Sequence, residues 1–140
     1  VAECMSKLPP ALVKLVRDRG NGRCEYCHFP AFYTRVGFQI DHIIATKHAG
    51  TSNDSNLAFA CYYCNVHKGP NVAGIDPITG TIVRLFHPRN DAWDDHFQWD
   101  GPWLFGHTPI ARATIHVLEI NEASAMQLRS LLLEEGLSLD

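Results

Sequence analysis

No stretch of the 140-residue chain approaches the roughly 18 consecutive apolar residues that a membrane span requires, so no membrane association is expected. The opening Val1-Ala2-Glu3-Cys4 has neither the charged nor the apolar region of a secretory signal, which points to a cytoplasmic protein. Val1 in place of Met points to a processed, tagged or truncated start. Internal repeats, low-complexity tracts and a linker-like segment are also missing. Residues 1–140 are therefore expected to form one domain, with a core over about 10–70 and an extension over about 71–140. Basic charge is scarce as well: 12 Lys and Arg face 15 Asp and Glu, for a net charge of −3. Taken alone, that argues weakly against a nucleic-acid binder, because neutralising phosphates needs clustered cations. The deficit is uneven, however, since residues 1–70 carry a net charge of +3 and the remainder −6. Cysteine is sparse and odd in number. Five thiols suit paired disulfides poorly, and Cys4 is the one left over.

What is present starts with the other four cysteines, which form two C-x-x-C pairs, Cys24/Cys27 and Cys61/Cys64. In a reducing compartment such pairs are more often metal ligands than bridges, and two knuckles satisfy a tetrahedral zinc ion. Four thiolates leave that ion no open position for water, so it should hold shape and do no chemistry. The 33 residues between the pairs exceed the ~15–20 of compact zinc fingers, leaving room for a strand, a loop and a second strand.

The flanking pattern fits that insertion. Residues 9–20 read as a helix with prolines at the start and a terminating glycine. Residues 34–40 read as a strand ending near Asp41 and His42, 45–55 as a polar loop and 56–60 as a returning strand. A short helix starting near Cys64 stops at Gly69-Pro70. Beyond it come a turn at 76–80 with a strand over 81–86, and an aromatic hairpin of 97–99 with 103–105. Two helices follow. Thr108 and Pro109 start the first, Asn121 caps the second, and Met126, Leu128, Leu131 and Leu132 are expected to bury.

Asp41-His42-Ile43-Ile44, Asn56-Leu57 and Cys61-x-x-Cys64-Asn65-x-x-Lys68-Gly69, in this order, resemble the HNH endonucleases, in the branch that carries a four-cysteine zinc site. The resemblance covers about residues 10–70. It implies an α+β fold: a small ββα-metal core on the zinc site, followed by the C-terminal β-hairpin and helices. It also implies hydrolysis of DNA phosphodiester bonds, with structural Zn²⁺ on Cys24, Cys27, Cys61 and Cys64 and a catalytic Mg²⁺ or Mn²⁺ elsewhere.

In that scheme His42 is the general base, a task that suits an imidazole with an ordinary pKa near ~6.5. Asp41 and Asn65 supply hard oxygen ligands to the catalytic cation. Asn56 bonds the loop backbone and orients the base. His67 and Lys68 are candidate phosphate contacts, with His67 ranked second to Asn65 as the last metal ligand. Each has a plainer reading: a solvated strand end for Asp41 and His42, a turn residue for Asn56, a helix cap for Asn65, a solvated side chain for Lys68. The alternative from another class is a non-catalytic, zinc-stabilised nucleic-acid-binding module. It would need the cysteines but has no use for Asp41, His42 and Asn65 together.

Overall fold

The computed structural model describes residues 8–140, so Cys4 lies outside the described residues. Helix α1 (Pro10–Gly20) starts on the fixed φ of its prolines and ends at Asn21, which takes the left-handed conformation at φ 54°. Gly20 has a different task from stopping the helix. A Cβ there would lie 2.7 Å from the Phe59 Cβ, so the missing side chain is what lets α1 approach the following sheet.

That sheet is the antiparallel pair β1 (Gln39–His42) and β2 (Leu57–Ala60), in the register Asp41 opposite Ala58 and His42 opposite Leu57. Strand β1 begins five residues later than the sequence predicts. Residues Ala31–Tyr33 form a 3₁₀ turn, and Phe32 and Val36 lie exposed with no strand to pair with. All four residues of β2 are buried, because α1 covers one side and the first knuckle the other. Helix α2 (Tyr62–Lys68) starts earlier than predicted, since the Cys61 side chain caps it by accepting from the Cys64 backbone N–H at 3.3 Å.

The C-terminal half adds hairpin β3 (Ala73–Ile75) with β4 (Ile82–Arg84), a single turn α3 (Trp93–His96), and hairpin β5 (Phe97–Asp100) with β6 (Trp103–Gly106). Helices α4 (Pro109–Val117) and α5 (Ala123–Glu134) close it. Thr108 caps α4 as predicted, its hydroxyl accepting from the Ala111 N–H. Ala111 and Ala113 are wholly buried, because small side chains let the helix sit close against Gly106 and Gly74. Buried Asp76, in the β3–β4 turn, receives two hydrogen bonds from Arg112 of α4, each 2.9 Å.

Helix α5 departs from the expected pattern. Leu128 and Leu131 are exposed, whereas Arg129 is only 4% exposed and donates to the carbonyls of Pro102 and Ile120 while lying over the Trp99 ring. The helix is seated by a guanidinium that finds fixed acceptors, not by its leucines. Asn121 does not cap it; Glu122 does, and Asn121 pairs with both backbone groups of Leu104.

The halves meet through one apolar cluster running from Val16 and Leu57 to Phe97, Leu104 and Leu118. Polar ties join them too: Trp93 donates to the Tyr26 carbonyl, Tyr63 to that of Glu119, and Arg89 pairs with Glu25. No helix of the described residues is long and apolar enough to cross a membrane.

Candidate active site and sulfur cluster

The two knuckles converge. The sulfurs of Cys24, Cys27, Cys61 and Cys64 lie within 4.8 Å of one another, all buried and none in a disulfide. Cys27 and Cys61 Sγ are 3.8 Å apart. Zinc–sulfur bonds of roughly 2.3 Å in tetrahedral geometry give a sulfur–sulfur edge of about 3.8 Å, so the cluster has the size a metal ion requires. Thiols so crowded resist ionising together: hydrogen bonding within the cluster and burial hold Cys27 and Cys64 well above their ordinary pKa, while Cys61 takes the negative charge. A bound cation would relieve that conflict. Arg129 borders the cluster from α5, lining a cavity with Cys27 and Cys61.

A second polar centre lies at the other end of the ββα unit. Strand β1 ends at His42, and α2 returns beneath it, so that Asp41, His42, Asn65 and Thr46 line one cavity of about 280 Å³. The strand end answers a geometric difficulty, since neighbouring strand residues point to opposite faces. Asp41 turns inward and is 4% exposed, whereas His42 turns outward to the loop, and the cavity touches both.

Asp41 is held by two partners. Tyr26 donates its hydroxyl to Oδ2 at 2.7 Å, and the Lys68 ammonium sits 3.1 Å from Oδ2 and 3.3 Å from Oδ1. Burial pushes the Asp41 carboxyl above its ordinary pKa, although Lys68 and the Tyr26 hydroxyl both pull it down. Tyr26, buried beside that carboxylate, is raised well above 10.0 and stays a donor.

Asn65 shares no side-chain hydrogen bond with the described residues. Its Nδ2, a donor, is buried without a partner among the described residues, and Asn65 lines the cavity. His42 Nε2 lies 3.0 Å from Ser52 Oγ, and Nδ1 has no partner among the described residues. Partial burial lowers the His42 pKa from 6.5, with Lys68 adding to the effect and Asp41 opposing it, so the ring is neutral at physiological pH.

Asn56 clasps the loop that joins the strands. Its Oδ1 accepts from the Ile44 N–H at 2.8 Å, and its Nδ2 donates to the carbonyls of Ile44 and Thr51 at 2.9 and 2.8 Å. Gly50 passes so close that a Cβ would fall 1.7 Å from the Ile44 carbonyl oxygen, which excludes any side chain there.

Two expectations are corrected. Lys68 is no surface phosphate contact: it is 1% exposed, and its ammonium donates to Asp41 and to the carbonyls of His42 and Ile43 at 3.2 and 3.0 Å. The helical spacing that puts it on the face of Asn65 aims it under the strand, where a buried carboxylate makes a buried cation tolerable. His67 does not line this cavity, so it is no ligand there. Its Nδ1 donates to the Tyr63 carbonyl at 2.8 Å, its Nε2 faces Glu119 at 3.3 Å, and its ring lies against Tyr63. Arg19 and Arg23, near the first knuckle, are likewise committed to backbone carbonyls.

The sequence reading missed Tyr26 and Ser52. Tyr26 stands inside the first C-x-x-C pair, and that position was the only available signal; Ser52 belongs to no motif.

Compared with known families, residues 24–71 match the model described as HNH endonuclease. No curated protein and no solved structure matched the chain.

Proposed function

We propose that the protein, whose residues 24–71 match the HNH endonuclease model, is a metal-dependent DNA endonuclease in which His42 is the general base. The observation that carries this reading is the single cavity onto which Asp41, His42 and Asn65 all open.

His42, neutral and with Nδ1 unpartnered, takes a proton from water as the water attacks phosphorus in line with the 3′ oxygen. Asp41 and Asn65 would hold a Mg²⁺ or Mn²⁺ ion, since a carboxylate and an amide oxygen suit a hard cation that keeps several waters. When bound, that cation supplies electrostatic stabilisation of charge developing on the leaving oxygen and the phosphoryl group. Lys68 and Tyr26 keep Asp41 ionised and oriented, and Asn56 holds the loop that borders His42. The products are 5′-phosphate and 3′-hydroxyl ends.

Zn²⁺ on Cys24, Cys27, Cys61 and Cys64 is structural in this reading, and the whole chain acts as one nuclease domain in the cytoplasm, where its thiols stay reduced. With Lys68 buried, the exposed Lys47, next to Thr46 in the same turn, is the cation placed to meet a phosphate beside the cavity. Contacts of that kind give weak sequence preference and steep salt dependence.

Plasmid DNA incubated with the zinc-loaded protein and Mg²⁺ or Mn²⁺ tests the proposal. Cutting should require the added cation, stop with EDTA and fall about 10²- to 10⁴-fold in His42→Ala, with the melting profile unchanged. Undiminished cutting by His42→Ala would assign the base elsewhere. Metal-independent binding without cutting would favour a non-catalytic binding module.

A further inference from the structure

We propose that Ser52 is a positioning residue that fixes His42 in the tautomer a proton acceptor needs, with Nε2–H donating to the serine hydroxyl and the Nδ1 lone pair left open. The inference rests on the reading of His42 as base and adds the residue that prepares it.

A neutral imidazole carries one N–H and one lone pair, so whichever nitrogen donates, the other accepts. The 3.0 Å contact engages Nε2, which makes Nδ1 the nitrogen available to water. A serine hydroxyl can play either part, so the direction of the bond follows from the role assigned to the ring: a base keeps its lone pair on the nitrogen that water can reach, which here is Nδ1, and its proton on the nitrogen that Ser52 holds.

The loop delivers Ser52 to this place by construction. Asn56 binds the carbonyl of the preceding Thr51 at 2.8 Å and both backbone groups of Ile44, two residues past His42. The Asn56 N–H in turn bonds the carbonyl of the following Asn53 at 2.9 Å. Both chain neighbours of Ser52 are therefore anchored, and the close approach at Gly50 draws the loop back on the strand end. Asn56 acts on the base through Ser52, which gives its three side-chain bonds a chemical consequence beyond holding a turn.

The test is the ¹⁵N spectrum of the histidine rings in the zinc-loaded 140-residue chain without DNA, above the pH at which His42 titrates, with His42→Ala providing the assignment. The wild type should show Nε2 protonated and Nδ1 bare. Ser52→Ala should raise the Nδ1–H population and lower kcat about 3- to 10-fold at constant KM, a fraction of what complete removal of a general base costs. Ser52→Thr should restore both. Ser52→Asp, which can only accept, should keep Nε2–H and move the acid limb of the rate profile to higher pH, since a carboxylate favours the imidazolium. A wild-type ring protonated at Nδ1, or a Ser52→Ala protein with unchanged tautomer and kcat, would overturn the proposal. The spectrum is read without turnover, so it decides the role of Ser52 even if cutting by His42→Ala removes the base assignment itself.

Discussion

Cys64 and Asn65 are neighbours on α2, yet they serve centres built on opposite plans. The sulfur cluster closes on itself: four identical soft ligands, all buried, face one another and leave nothing for an outside molecule. The cavity at the strand end is mixed and open. Asp41 is saturated on its inner side by Tyr26 and Lys68, while Asn65 and His42 keep polar atoms uncommitted. Successive residues point about 100° apart on a helix, so one short helix can belong to both. A closed ligand set stabilises a fold, and an incomplete one receives a guest. In the reading proposed here, that difference separates the structural ion from the catalytic one.

Removing one sulfur should have the largest effect. Cys64→Ser should abolish the cooperative thermal transition and drop bound zinc below one per chain, because zinc-site formation contributes on the order of 10 kcal/mol to folding. A variant that melts like the parent would mean that the cluster is not the buttress. Next in size is Lys68→Met, which strands a buried carboxylate and should cost about 3–5 kcal/mol in denaturant unfolding without loss of zinc. Pairing it with Asp41→Asn should recover most of that loss; additive losses would mean the two residues are not coupled. Smaller still is the effect of acid. Burial lowers the His42 pKa, so protonation, which removes the base, should set in only below 6.5, and cleavage at pH 6.5 should exceed half its plateau. The same group favours the folded state above 6.5, a contribution lost as pH falls through the lowered value. An acid limb centred above 6.5 would contradict the burial that sets the shift.

Much of the ββα unit was legible because its signals are local. Two knuckles, the prolines before α1 and the Gly69-Pro70 stop punctuate the sequence at the places where the chain turns. The start of β1 was not legible, since Thr34 and Val36 favour strands but have no partner to pair with. Lys68 was misread for a related reason: helical spacing gives the face a residue occupies, and only the packed strand shows that this face is covered. The leucines of α5 misled in the same way, because the acceptors that bury Arg129 come from residues 9 and 27 positions away. Tyr26 and Ser52 depend wholly on such distant neighbours. Cys24, Cys27, Cys61 and Cys64 were readable as a group because pair spacing survives folding.

The most direct test is anomalous diffraction from crystals of the zinc-loaded protein soaked in Mn²⁺. A zinc signal should appear among the four sulfurs and a separate manganese signal between the Asp41 carboxylate and the Asn65 amide, with neither metal exchanging places. Manganese absent from that cavity, or bound only among the sulfurs, would contradict the two-site reading.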